Sequence, residues 1–366
     1  QNQSSAASDV YKRQLIGLSF GSNIDFFNIP AGASITLIFT MFVMITSAIH
    51  SWFRGWAPAI MLILILGFNY MSKYDFFAPP NKAYGLNYEN IPADFSLASI
   101  KKNLNAANYT DDSLHTIQIL EKWKVKNTVK EKKPKIVFIN TTGGGMRSAL
   151  WSFCAIQYCD SILNGKLLNQ TQLISGSSGG LIGLAYLREL MLRNQRKEIV
   201  NFHESSYRND MARDILNRVA FYVSVNDMLF RLQTFEDNGF TYKKDRGYAF
   251  EEQLNENTRG FLNRRLDEYY SPEYNSKIPM LIVNPTIVNN GKRLIISPQP
   301  TSYLSYTTPQ KNIKNDYLNE SIEFKRFFSK QGAGDLRFTS ALRMSSTFPY
   351  VMPIVNLPSN PELKVM

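Results

Sequence analysis

Histidine is nearly absent from this 366-residue chain, which has three: His50, His115 and His203. The scarcity matters because histidine is the commonest base for a serine nucleophile and the commonest metal ligand. Cysteine is scarcer still. Cys154 and Cys159 lie five apart in one expected helix, on different faces and without metal-ligand spacing. They read as buried structural thiols, not as a disulfide framework or a zinc site. No metal and no cofactor is therefore expected. Internal repeats and low-complexity tracts are also missing, which argues against a solenoid or a disordered tail. The apolar fraction of 44% is that of a folded chain.

What is present begins with charge. The formal net charge of +11 favours an anionic partner such as a phospholipid surface. Nothing resembling a nucleic-acid module accompanies it, so no nucleic acid is expected. Ser4 to Gln14 (SSAASDVYKRQ) reads as the translation of a transposon-end sequencing adapter. Residues 1–14 are accordingly expected not to be native to the fold. The chain then reads as a piece of a longer gene, its natural N-terminus unknown.

Two long hydrophobic runs follow. Ala31 to Trp52 and Ala57 to Met71 are predominantly apolar, with Trp56 and Tyr70 near the ends of the second as interface anchors would be. The first meets the roughly 20 residues that a membrane-spanning helix needs; the second does so if Trp56 and Tyr74 bound it. The short link predicts a transmembrane helical hairpin within 29–74, with both ends on one side. Two buried helices of a soluble core are the alternative. Residues 75–133 differ in kind. They hold Pro79-Pro80, many asparagines and tyrosines, one helical pattern from Asp112 to Lys126, and the run Lys130-Glu131-Lys132-Lys133. They read as a connector. Its lysines, with no disulfide pattern, place the following domain on the cytoplasmic side.

From 134 to 366 the pattern is α/β. A strand at Ile136 to Asn140 ends in Gly143-Gly144-Gly145-Met146-Arg147, and a helix follows. A second strand, Leu173 to Ser175, ends in Gly176-Ser177-Ser178-Gly179-Gly180, and another helix follows. Serine inside G-x-S-x-G between strand and helix is the pattern of a nucleophile elbow, which makes Ser178 the candidate nucleophile. Gly176 and Gly180 support that sharp turn. Gly143, Gly144 and Gly145 open a helix, so their N–H groups suit a developing oxyanion. Arg147 can hold the loop or face an anionic headgroup. With one helix and one strand between them, the two turns fall at one edge of adjacent parallel strands. Further on, Ile278 to Val288 and Lys292 to Ser297 suggest a hairpin through Asn289-Asn290-Gly291. Helices are expected at Asn319 to Ser329 and Asp335 to Thr347, with a strand at Pro353 to Leu357.

None of the three histidines suits the role of base. His50 lies in the apolar run, His115 precedes the domain, and His203 follows Ser178 too closely to close an α/β-hydrolase triad. Either the site works without histidine or its histidine lies past Met366.

The region from Lys135 to Met366 resembles the patatin-like phospholipases. Gly143 to Arg147 is similar to their oxyanion block, and Gly176 to Gly180 to their elbow. Ser340-Ala341-Leu342-Arg343-Met344-Ser345-Ser346-Thr347-Phe348-Pro349, with Pro353 after it, is similar to the segment before their last motif. The resemblance implies a three-layer α/β/α domain with a mostly parallel central sheet and a Ser–Asp dyad without histidine. Thr142 and Ser148 stand where the family often has an acidic residue and a glycine. The dyad aspartate would sit in an Asp-Gly-Gly or Asp-Gly-Ala motif not yet reached at Met366. The expectation is a membrane-anchored serine lipid acyl hydrolase whose partners are a phospholipid or other lipid ester and the bilayer. A catalytically silent lipid-binding or scaffold protein of the same fold is the alternative.

Overall fold

The computed structural model describes residues 30–71, 74, 79–129, 133–227, 233–305, 321–348 and 350–366. The adapter-like residues, Lys73, the charges at 130–132 and Pro349 lie outside them. Two apolar helices come first, α1 (Ala31–Phe53) and α2 (Ala57–Met71), separated by a 3-10 turn at Arg54–Trp56. Arg54 has φ 42°, in the left-handed region, so the chain bends there. The helices contact one another across that break. Ala31–Met71 is long and apolar enough to cross a membrane, and most of its large side chains are exposed, Phe39, Phe42, Ile63 and Phe68 among them. At 1.5 Å per residue α1 rises about 35 Å and α2 about 22 Å, against a bilayer core of roughly 30 Å.

The expected connector feeds the core. Ala83, Tyr84 and Leu86 are buried, β1 (Ala93–Asp94) joins a small sheet, and α3 (Ala106–Asn127) buries Ile119 and Trp123. Asn105 caps α3 by accepting the Asn108 N–H at 2.7 Å. Asp112 of α3 accepts from Arg326 Nε at 3.0 Å, and Lys126 Nζ donates to the Ser276 carbonyl at 2.9 Å, which ties the helix to residues far along the chain.

The central sheet sets the site. β2 (Val137–Thr141), β3 (Thr171–Gly176) and β4 (Met280–Val283) pair in that order, all parallel. α4 (Gly145–Ile162) leaves β2, and α5 (Ser178–Gln195) leaves β3. In register, Thr141 faces Gly176 and Gly176 faces Val283, so the strands end together. α5 is buried from Gly179 to Leu192, which explains why its sequence is apolar nearly all round. Its charged members are paired: Arg188 with Glu273, and Glu189 with Arg193 at 2.8 Å. α4 packs closely on α5, with Ser152 Oγ donating to the Gly180 carbonyl at 2.8 Å.

Next come α6 (Leu216–Tyr222) and α7 (Arg246–Asn257), which form a seat for α1. The Ala31 N–H donates to Asn217 Oδ1 at 2.8 Å, and Ser224 Oγ donates to the Ser34 carbonyl at 3.2 Å. Leu37 and Met41 pack on Phe221, Tyr222 and Ala249. The first three turns of α1 are thus docked by one face, and the rest projects.

The hairpin expected around Asn289-Asn290-Gly291 forms, with antiparallel bridges Val283–Ile296 and Thr286–Arg293. β5 (Arg293–Ile295) also pairs in parallel with β6 (Ser321–Glu323). That strand corrects the expected helix at 319–329. Among the described residues of that stretch, helix is confined to Phe324–Phe327 and a 3-10 turn at Ser329–Gln331. Glu323 caps the short helix, accepting the N–H groups of Lys325 and Arg326 at 3.1 and 2.7 Å. α8 (Phe338–Met344) is shorter than expected and wholly buried. β7 (Val355–Leu357) pairs with β9 (Leu363–Val365), while β8 (Ser359–Asn360) pairs with β1. The expectation of two buried thiols fails in part: Cys154 is half-buried and Cys159 is exposed, because α4 turns that face to solvent.

Candidate active site

The elbow is built by backbone strain and close approach. Ser178, the first residue of α5, has φ 59°, a conformation that costs a non-glycine residue about 1 kcal/mol or more. A Cβ added to Gly176, Gly179 or Gly180 would stand 2.4, 1.8 or 2.5 Å from the carbonyl oxygens of Thr141, Gly145 and Thr142. Only glycine fits there, so the elbow and the triple-glycine loop are pressed together. Gly143 faces the serine: a Cβ placed on it would lie 3.6 Å from Ser178 Oγ. Ser178 is partly exposed.

Gly144 caps α4 at φ 140°, and Gly145 begins the helix at φ 62°. Two helices, α4 and α5, therefore start at the same sheet edge, beside Ser178. The first-turn N–H groups of a helix lack intrahelical acceptors, and its N-terminal end carries partial positive charge. Two such ends beside one hydroxyl favour negative charge on a carbonyl oxygen held there and on the serine itself. Arg147 lies in the first turn of α4, exposed and without an ion pair among the described residues. Ser148 Oγ donates to the Thr142 carbonyl at 3.4 Å, so the serine in the family's usual glycine place braces the loop.

One residue that sequence reasoning missed is Asn284, directly after β4. Its N–H donates to the Gly176 carbonyl at 3.1 Å, and Nδ2 donates to Ser175 Oγ at 2.9 Å. It pins the end of the elbow strand. The signal was an asparagine closing a four-residue apolar strand before Pro285, at the edge where parallel sheets bind ligands.

The histidines lie elsewhere. His203 Nε2 is 2.9 Å from Asp160 Oδ2, near the C-terminal end of α4. Fifteen residues of helix separate Asp160 from Gly145, a rise of about 22 Å. His115 stacks on Tyr274 with centroids 4.9 Å apart and meets Gln299 Oε1 at 2.9 Å. His50 is exposed on α1. None of these contacts involves Ser178, and no cluster suited to a metal ion occurs among the described residues.

Behind the site, α8 is held by a buried pair. Arg343 Nε donates to Glu251 Oε1 at 2.6 Å, and the guanidinium stands 4.9 Å from the Tyr84 ring. Burial raises the Glu251 carboxyl against the opposing pull of Arg343. Ser340 and Thr339 donate to the same carboxylate at 2.7 and 2.8 Å. This part of the segment similar to the family's pre-dyad block is structural packing.

No curated protein matches the chain. The family model for patatin-like phospholipase matches residues 141–363, from the last residue of β2 through the elbow and α8 into β9. By that match the chain belongs to the patatin-like phospholipases, a family of lipid acyl hydrolases.

Proposed function

We propose that this protein is a membrane-anchored serine lipid acyl hydrolase that cleaves a phospholipid or related lipid ester through an acyl-enzyme on Ser178. The observation that carries this reading is the strained Ser178 facing Gly143 where two helix N-termini meet. Ser178 Oγ attacks the ester carbonyl. N–H groups of Gly143, Gly144 and Gly145 stabilise the oxyanion as the alcohol leaves, and water then attacks the acyl-serine. Gly176 and Gly180 keep the turn tight, and Arg147 faces the headgroup side. No cofactor enters this chemistry.

The base in this reading is an aspartate supplied by residues that follow Met366 in the gene. β9 runs antiparallel to 286–288, so at Met366 the chain heads back toward Asn284 and the elbow. At about 3.3 Å per residue, the second residue past Met366 would draw level with Asn284. A carboxylate there would stand beside the residue that pins the end of the elbow strand.

The three-layer arrangement of the catalytic domain, the hairpin and its insertion belong to the same reading. In it α1 and α2 are a spanning pair turned at Arg54. Trp52 and Trp56 flank the far side, and Tyr70 and Tyr74, whose hydroxyls meet at 2.9 Å, stand at the near side. The domain boundaries follow: an anchor to residue 74, a linking stretch to 133 packed on the fold, and the catalytic domain from 134. The two free cysteines and the lysine-rich link favour a cytoplasmic face. The test is phospholipid hydrolysis by the protein expressed from its full gene. Ser178→Ala is expected to lower turnover to background with the fold intact; unchanged turnover would remove this proposal.

A further inference from the structure

The loop after α8 bears large apolar side chains that the catalytic site does not use. Phe348, Val351 and Ile354 are 42, 37 and 37% exposed, and Tyr350 is 95% exposed at φ 69°. Met352 is buried, as are Val355 and Leu357 of the flanking strand β7, so the tip is rooted in the core. The loop adjoins the seat of α1: Arg246 Nη1, on the first residue of α7, donates to the Tyr350 carbonyl at 3.1 Å. Within the same turn of α7, Tyr248 and Ala249 belong to the cluster on which Leu37 and Met41 of α1 pack.

Length then fixes the depth of that seat. Beyond Met41, α1 rises only about 18 Å to Phe53, too little to cross a core of roughly 30 Å. A span by α1 must include part of its docked turns. The start of α7 and the loop beside it then lie at the bilayer surface, with Phe39 and Phe42 exposed on α1 at the same level.

We propose that Phe348, Tyr350, Val351 and Ile354 form a second membrane contact, inserting into the interfacial layer of the bilayer that α1 enters. The proposal rests on the membrane anchoring put forward above. An exposed tyrosine and phenylalanine on a rooted loop suit that layer, where an apolar body and a polar tip are both satisfied. Lys243 and Lys244, just before α7, place positive charge beside it and favour anionic lipid. The catalytic domain would thus be held against the membrane at two points, with its orientation fixed.

The experiment uses the full chain with Cys154→Ala and Cys159→Ala, reconstituted into phosphatidylcholine–phosphatidylglycerol vesicles. An environment-sensitive fluorophore is attached in turn to Tyr350→Cys, to Phe42→Cys in the anchor, and to Val200→Cys, a position 94% exposed in the loop after α5. Nitroxide lipids should quench the labels at 350 and 42 several-fold more than the label at 200, which aqueous iodide should quench instead. A lipid-quenched 42 with an iodide-quenched 350 would overturn the loop contact and leave the anchor standing. An iodide-quenched 42 would overturn the anchor, and the loop contact with it. Equal lipid quenching at 200 and 350 would show unoriented adsorption and overturn the proposal.

Discussion

Met366 and Thr286 exchange backbone hydrogen bonds, at 2.6 Å from the Thr286 N–H and 2.9 Å from the Met366 N–H. Thr286 lies two residues past Asn284, whose N–H holds the Gly176 carbonyl at the elbow. The pairing therefore runs the chain back toward the residue that pins the elbow strand. An Asp-Gly pair is expected within the next few codons of the contiguous gene. Replacing that aspartate by asparagine should abolish ester turnover while circular dichroism stays unchanged. A gene that continues without an acidic residue there would favour the silent scaffold.

Gly179→Ala should damage the oxyanion loop. The new Cβ would meet the Gly145 carbonyl oxygen at 1.8 Å, and a backbone atom cannot swing aside as a side chain can. Losing one oxyanion donor costs on the order of 10²–10³ in turnover, and a displaced loop should cost at least that. Steady-state kinetics against a short-chain ester would read it. Gly55→Ala, where a Cβ meets open space, should have no such effect.

Removing Arg343 should destabilise the domain through Glu251. Both side chains are fully buried, so Arg343→Met leaves an unpaired carboxylate in the core. The expected loss is about 3–5 kcal/mol by denaturant unfolding in detergent. Arg343→Met combined with Glu251→Leu should recover much of it, because the buried charge goes too. A single variant as stable as the parent would contradict the pairing.

Stability should also fall as pH rises through the acid-to-neutral range. Burial pushes the Glu323 carboxyl up from 4.5 to about 7, with the N–H groups of Arg326 and Lys325 opposing it. A carboxyl raised on folding binds more protons folded than unfolded between those values, so raising pH from about 5 to 8 removes stability. The ceiling is about 3 kcal/mol. Glu323→Gln should flatten this dependence, gaining on the parent at pH 8 relative to pH 5. Parallel melting curves for the two proteins would contradict it.

The elbow and the glycine loop were legible because their chemistry demands small residues within a few positions of one another, between apolar strands. The central strands were legible for the same local reason. What the sequence concealed depends on distant partners. Ser321–Glu323 reads as part of a charged helix until β5 pairs with it. Tyr84 sits in a polar, aromatic stretch that resembles a link, yet it is buried beneath Arg343, far along the chain. The docking of α1 rests on Asn217 and Ser224, ordinary residues whose role appears only when α6 reaches it. Asn284 gave a local signal, but its meaning required the register of β4 against β3.

The central claim is that Ser178 carries the acyl group. The most direct measurement is peptide mapping by mass spectrometry after the full-length protein reacts with a fluorophosphonate. A single adduct on the peptide containing Ser178, absent in Ser178→Ala, is the expected result. An adduct on another serine, or one that persists in Ser178→Ala, would contradict it.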